Sequence, residues 1–407
     1  MTRIVLPYLI SFATSLLGNS VTAIALPLLV LFTTGSPLGA GVVAIAAAVP
    51  AALAGILMGS LVDRINRRTA AILSDVISAV ALLILPVVDL TVGLDLGWFV
   101  AVAIIGSFGD VPGITAREAM LPAIATASGV DPARLIGIRE ALSGVMLLIG
   151  PAVAGVLVAT LEPVTVLWVT AGTAALAAGV TLLVPRSATT QVRAVEAGSS
   201  VGARHFSPKS LLYGVRQLFH TPVLRSLVML ATVLAVVLAA TQGIVIPVHF
   251  AFQGEPGYVG FVLSSLAAGL LVGGGTFAIF GPRVRRRTWF AAGLVLLGLG
   301  FIGISMLGPV WSVFAAAALA GLGGGCLNAV VGLAFVEQVA ETERGRLLGA
   351  QNAIITLAPA LGIGGAATII EFGTTQLAAG LLAGIWILAA VIALIVPSLR
   401  RIGENGC

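Results

Sequence analysis

Charge is scarce in this sequence. Asp, Glu, Lys and Arg together make up 9% of 407 residues, against about 25% in a soluble domain, so a water-facing globular surface is excluded. Lys209 is the only lysine and follows Pro208. A nucleotide-binding Gly-Lys-Ser/Thr loop therefore cannot be built, which excludes an ATPase by that route. There are three histidines, with no His-Glu-x-x-His pair and no nucleophile motif with a placed partner, so neither an enzyme nor a metal site is expected. Nothing calls for a cofactor. Of the two cysteines, Cys326 lies inside an apolar run and Cys407 is the last residue, which leaves no disulfide framework.

What fills the space is hydrocarbon. Hydrophobic residues are 59% of the chain and the mean hydropathy is +1.13. The apolar stretches run to about 20 residues or more, enough for a helix to cross a hydrocarbon core of about 30 Å. About twelve such spans begin near residues 7, 39, 69, 97, 134, 164, 224, 257, 288, 311, 346 and 374. The first, Pro7 to Phe32, is too long for a signal-peptide core and is kept as a helix. The expected class is an all-α polytopic membrane protein of twelve transmembrane helices.

Basic residues collect on one side of these spans. Arg64, Arg67 and Arg68 follow span 2; Arg117, Arg134 and Arg139 flank the 4/5 turn; Arg186 to Arg225 fill the centre. Arg283, Arg285, Arg286 and Arg287 follow span 8, Arg344 and Arg346 precede span 11, and Arg400 and Arg401 close the sequence. The opposite loops carry Asp89, Asp95, Glu162, Glu255 and Glu371 but no Lys or Arg. The positive-inside rule then puts both termini in the cytoplasm of a multi-pass protein of the cell membrane. The net charge of +5 reflects this topology and contact with anionic lipid, and requires no nucleic-acid partner.

The one long polar segment, residues 186–222, divides the spans six and six. It separates an N-terminal bundle, 1–185, from a C-terminal bundle, 223–407, as a cytoplasmic linker. The halves share landmarks. Gly35-Ser36-Pro37 with Gly41 matches Gly254-Glu255-Pro256 with Gly260, and Arg67-Arg68-Thr69 matches Arg286-Arg287-Thr288, each offset by 219. Arg134-Leu135-Ile136-Gly137 recurs as Arg346-Leu347-Leu348-Gly349, offset by 212. Two such repeats of equal orientation imply a pseudo-twofold axis along the membrane normal and a mid-membrane binding site.

The run Gly59-Ser60-Leu61-Val62-Asp63-Arg64-Ile65-Asn66-Arg67-Arg68 resembles the signature between helices 2 and 3 of the major facilitator superfamily. Asn66 stands where a glycine is usual, a mild change because Asn tolerates positive φ. Leu17 to Gly41, Thr115 to Pro122 (TAREAMLP) and Ile149 to Gly155 (IGPAVAG) resemble the branch containing macrolide-efflux and siderophore-export proteins. The last also resembles the helix-5 motif of antiporters, carried here by Gly150, Pro151 and Gly155. The resemblance implies two pseudo-symmetric six-helix bundles, a small-molecule substrate, and a cavity lined by helices 1, 4, 7 and 10. Asn19, Asp110, Gln242 and Asn328 are polar residues away from the ends of those spans. They are the candidate cavity residues, the alternative being plain interhelical hydrogen bonds.

Without ATP, an ion gradient drives transport, and proton coupling needs a group whose protonation changes with burial. The acids in or at the ends of spans are Asp75, Asp110, Glu118, Glu140 and Glu337. A charged group in hydrocarbon costs at least about 2.5–3.5 kcal/mol, so it faces a partner or a wet cavity. Asp110 lies deepest, about 10 Å from Arg117 at 1.5 Å per residue. Pro112 leaves a backbone carbonyl without its N–H partner one turn earlier. Asp110 is the candidate for proton coupling or cation binding, the alternative being a structural ion pair. His249, near the outer end of helix 7, reads as an interfacial histidine.

The inner-face charges form a candidate gate: Gly59, Asp63, Arg64, Arg67 and Arg68 of the signature, and Arg117-Glu118 facing Arg139-Glu140 across the 4/5 connection. The resemblance gives Asp63 a role in supporting the outward-open state; the alternative is that basic residues here only hold orientation. The expected function is proton-driven export of small amphipathic molecules by a monomer in lipid, with alternating access. A siderophore or lipid-like-molecule exporter with other coupling is the near alternative, and a non-transporting receptor or membrane enzyme the distant one.

Overall fold

The computed structural model describes residues 2–62, 66–186, 216–339, 341–396 and 399. Twelve helices among them are long and apolar enough to cross a membrane. In chain order they are α1 (Thr2–Thr34), α2 (Pro37–Val62), α3 (Arg67–Asp89), α4 (Leu96–Ser128), α5 (Pro132–Thr160) and α6 (Pro163–Thr181). Then come α7 (the span Pro222–Phe252), α8 (Tyr258–Phe280), α9 (Arg286–Ser305), α10 (Val310–Gln338), α11 (Glu341–Phe372) and α12 (Thr375–Ile395). α1 and α11 start five residues before the expected positions and the others within two. Capping explains the sharp starts. Asp95 accepts the Trp98 N–H at 3.1 Å, Asp131 that of Arg134 at 3.0 Å and Thr374 that of Leu377 at 3.0 Å, each satisfying an orphan donor of the first turn.

Asn66 corrects one expectation. Its φ is −62° and ψ 127°, and its side chain accepts the Arg68 N–H at 2.9 Å. It is the N-cap of α3, so asparagine is used here as a capping acceptor rather than for a left-handed backbone.

The chain forms two compact units, Met1–Gly35 with Val42–Phe206, and Ser36–Gly41 with Ser207–Cys407. In the first, α1 packs on α4, α5 and α6, and α3 packs on α4 and α6. In the second, α7 packs on α10, α11 and α12, and α9 packs on α10 and α12. Every one of those pairings recurs six helices later. The sequence landmarks serve the same local purpose in each unit. Gly35 and Gly254 have φ of 68° and 74°, the left-handed conformation that ends a helix at least cost in glycine. Leu135 and Leu347, from the Arg-Leu-x-Gly pair, are both buried in apolar clusters, with Met120 and Ile124 in one unit and Phe335 and Val228 in the other.

Large apolar residues are exposed along the spans, for example Leu73, Val76, Val80 and Val87 on α3. In water such a stripe marks an interaction surface; on a helix of this length it matches lipid.

Candidate functional site

Asp110 sits on α4 because of what α3 presents to it. Gly109 has no side chain, and a Cβ there would lie 2.3 Å from Ser78 Oγ and 2.9 Å from the Ser74 carbonyl. The close approach this permits lets the Ser78 hydroxyl donate to Asp110 Oδ1 at 2.8 Å. Ser107, one turn earlier, donates to the carbonyls of Ala103 at 2.7 Å and Ala47 at 2.9 Å, tying α4 to α2. Asp110 itself is half-buried.

One turn beyond Gly113 lies a second charge centre, buried, formed by Arg117, expected at the gate, and Asp75, an acid with no role expected of it. Arg117 is 2% exposed and Asp75 5%, and Nη2 of Arg117 is paired with Asp75 Oδ2. α1 completes the cluster. Ser11 Oγ accepts from Arg117 Nη2 at 3.2 Å and Ser15 Oγ from Nη1 at 3.2 Å. Ser15 in turn donates to Asp75 Oδ1 at 3.4 Å, and Tyr8 to the Arg117 carbonyl at 3.2 Å. Ser11 is linked to Thr181 of α6 at 2.5 Å. Arg117 thus turns inward, away from the surface pairing with the 4/5 charges expected of it. Asp75 was visible as an acid in a span. The signal for its partner is the spacing of Ser74 and Ser78 against Gly109 and Gly113, small residues one turn apart on both helices, which marks a close helix contact.

The other gate residues divide. Arg139 donates to Glu118 Oε1 at 2.9 Å, lies 3.4 Å from Glu140 Oε1 and sits over the Phe12 ring at 5.2 Å. Arg67 Nη1 donates to the Ala119 carbonyl at 2.8 Å, and Arg68 donates to the carbonyls of Thr181 at 3.3 Å and Leu182 at 2.7 Å. The two signature arginines therefore bind backbone at α4 and at the C-terminus of α6, where cations are favourable. Gly59 lies within α2. Asp63 and Arg64 fall outside the described residues. In the second unit Arg286 Nη1 reaches both Glu337 oxygens, at 2.8 and 2.7 Å.

Of the candidate cavity residues, Asn19 is half-buried between two close helix contacts. A Cβ on Gly18 would lie 2.7 Å from Thr173 of α6, and one on Gly150 of α5 would lie 2.6 Å from Ser20. Gly150 of the helix-5 motif therefore admits α1; Gly155 is buried and Pro151 lies inside α5. Gln242 is half-buried in a π-helical turn, Thr241–Val245. Pro247, two residues past that turn, cannot donate to the carbonyl four residues back, and the extra residue of a π-turn accommodates this. Asn328 is exposed in the middle of α10 beside buried Cys326 and Leu327. His249 is half-buried and bonded to Gln253 at 3.2 Å.

Twelve spans in two repeated bundles, with the Asp75–Arg117 pair buried among serines inside the first, give the architecture of a membrane transporter. The family model described as the Major Facilitator Superfamily matches residues 8–281 and 228–405, and the chain belongs to that superfamily. It is similar to the multidrug efflux pump Tap of Mycolicibacterium fortuitum, 29% identical over 95% of this chain and 93% of that one. It also matches macrolide efflux protein A of Streptococcus pyogenes, at 24% identity over 86% and 85%. Among solved structures, the nucleoside transporter NupG superposes with a TM-score of 0.77 at 15% identity, covering 96% of this chain and 98% of that one. At that identity the likeness speaks for the fold alone. The chain is a multi-pass protein of the cell membrane.

Proposed function

We propose that this transporter exports small amphipathic molecules by proton antiport, with the bundles 1–185 and 223–407 alternating access about the cytoplasmic linker 186–222. Its similarity over nearly full length to proteins named for multidrug and macrolide efflux supports the direction and the substrate class. The basic residues gathered on one side support cytoplasmic termini. One observation carries the coupling. Asp110 is a half-buried carboxylate in the middle of a span, with the Ser78 hydroxyl as its hydrogen-bond partner. Such a group is costly in hydrocarbon while charged and far less so while protonated, so a conformational cycle that changes its access to water moves a proton. Asn19, Gln242 and Asn328 serve as polar contacts for substrate. The Arg139–Glu118 pair and the signature residues Asp63, Arg64, Arg67 and Arg68 act at the cytoplasmic gate. The protein works as a monomer.

The test uses ethidium as a probe in a bacterium lacking its own efflux pumps. Expression of the chain lowers ethidium accumulation, a protonophore restores it, and Asp110→Asn abolishes the effect while the protein remains in the membrane. Efflux that survives collapse of the proton gradient, or full activity of the variant, would overturn the assignment.

A further inference from the structure

The Asp75–Arg117 cluster is not required by the fold. The close approach of α3 and α4 at Gly109, against Ser74 and Ser78, recurs in the second unit at Gly323, whose Cβ would lie 2.8 Å from the Gly293 carbonyl and 2.5 Å from Leu297 N. Matched through these contacts, Leu294 stands for Asp75, Gly324 for Asp110 and Val331 for Arg117. The second unit makes the same helix contact from apolar residues alone. The three charges of the first unit have therefore been placed on a contact that packs without them.

Their arrangement is directional. A helical side chain leans toward the N-terminus of its own helix, and that of Arg117 leans toward Asp110. Its Nη1 lies 3.4 Å from where a Cβ on Gly113 would be. The guanidinium thus occupies the space left by Gly113, and Asp110 stands three residues, or about 4.5 Å of helix rise, further on. On one side it touches Asp75; on the other, about a turn away, is the second carboxylate. Around it are Ser74 of α3, Ser11 and Ser15 of α1, and through Ser11 the Thr181 hydroxyl of α6, while Ser78 stands further on, bonded to Asp110. Beyond them, Arg139 of α5 and Glu118 of α4 pair with each other.

We infer that Arg117 is an internal counter-ion shared by two carboxylates, resting on Asp75 while Asp110 holds a proton and swinging past Gly113 to Asp110 when that proton leaves. With Asp110 protonated, Asp75 and Arg117 cancel and the cluster is neutral. Loss of the proton leaves two carboxylates and one guanidinium, and the swing brings the cation to the new charge. Asp75 is thus a positioning residue for the coupling step. The inference rests on Asp110 being the protonated group of the proposed antiport.

The experiment labels the full-length purified protein with dicyclohexylcarbodiimide, which adds to protonated carboxyl groups in apolar surroundings, and reads adducts by peptide mass spectrometry between about pH 5 and pH 9. In the wild type, Asp110 is labelled with a definable midpoint and Asp75 is not. Asp75→Asn gives Arg117 wholly to Asp110 and lowers the Asp110 midpoint by about one pH unit or more, a tenfold change in proton affinity. Gly113→Ala fills the path of the guanidinium and moves the midpoint the other way. An unchanged midpoint in either variant overturns the inference, and the opposite shift in Gly113→Ala separates the swing from simple loss of the Asp75 charge. Unchanged midpoints, or shifts in the same direction, overturn the shared counter-ion while leaving Asp110 as the coupling site. A wild type in which Asp110 is never labelled overturns that site as well.

Discussion

Arg117 and Asp75 form an ion pair buried inside the first bundle, with side-chain exposures of 2% and 6%. Pairing and the serine hydroxyls compensate for the lost hydration, so the cluster stands or falls by completeness. Removing one partner of a buried pair costs about 3–5 kcal/mol because the other is left uncompensated. The two single substitutions are nevertheless unequal here. Arg117→Met strands Asp75 among serines that cannot neutralise it, and should show the larger loss of thermal stability in detergent. Asp75→Asn leaves Arg117 with Asp110 within a turn, and should lose less. Equal losses in a melting experiment would count against a second carboxylate within reach.

The spans were legible because a run of about 20 apolar residues has one stable use. The repeat was legible because glycine at positive φ and a buried leucine at fixed spacing leave matching marks at Gly35 and Gly254, and at Leu135 and Leu347. The partnership of Arg117 was not. Arg117 and Glu118 are adjacent, yet successive helical residues point about 100° apart, so one is buried and the other exposed. Which faces inward depends on the rotation of α4 against α1 and α3, and apolar periodicity is blurred where both lipid and core are apolar. The π-turn at Thr241–Val245 escaped for a related reason. Proline inside a span is common, and Pro27, Pro50 and Pro86 lie within unbroken helices.

Glu371, at the end of α11, caps the start of α2. Its carboxylate accepts the Ser36 hydroxyl at 2.7 Å and the Leu38 N–H at 3.0 Å, and Ser36 Oγ accepts the Gly39 N–H at 3.3 Å. An acid at a helix N-terminus satisfies orphan donors and opposes the positive end of the dipole. Glu371→Ala should therefore accelerate hydrogen exchange at Leu38 and Gly39 severalfold while leaving the first turn of α3 unchanged. Unaltered exchange at those two amides would show that the cap is dispensable.

Arg286 shares its Nη1 between both oxygens of Glu337 in the second bundle, but their side chains are 35% and 44% exposed. At that exposure solvent screening leaves an ion pair a coupling of under about 1 kcal/mol. A double-mutant cycle with Arg286→Gln and Glu337→Gln, read by melting in low salt, should give a small coupling that vanishes in high salt. A coupling as large as that of the buried pair would mean that these side chains are enclosed in lipid.

The steepest dependence on a single atom group lies between α8 and α10. A Cβ on Gly321 would sit 1.9 Å from the Leu266 carbonyl oxygen, one on Gly325 2.2 Å from that of Leu270, and one on Gly273 2.2 Å from that of Leu322. These are backbone atoms, which cannot rotate aside, and without a hydrophobic effect between helices in lipid such close backbone packing is what holds them together. Gly275, on the same helix as Gly273, has nothing within 4 Å of its Cβ position. Gly321→Ala should force the helices apart and reduce the yield of folded protein severely. Gly275→Ala should be tolerated, or gain about 0.5–1 kcal/mol from the restricted unfolded chain and better helix propensity. Comparing the two by size-exclusion profile and melting temperature separates packing from any general intolerance of substitution in these spans, because the residue types exchanged are identical and only the space around them differs.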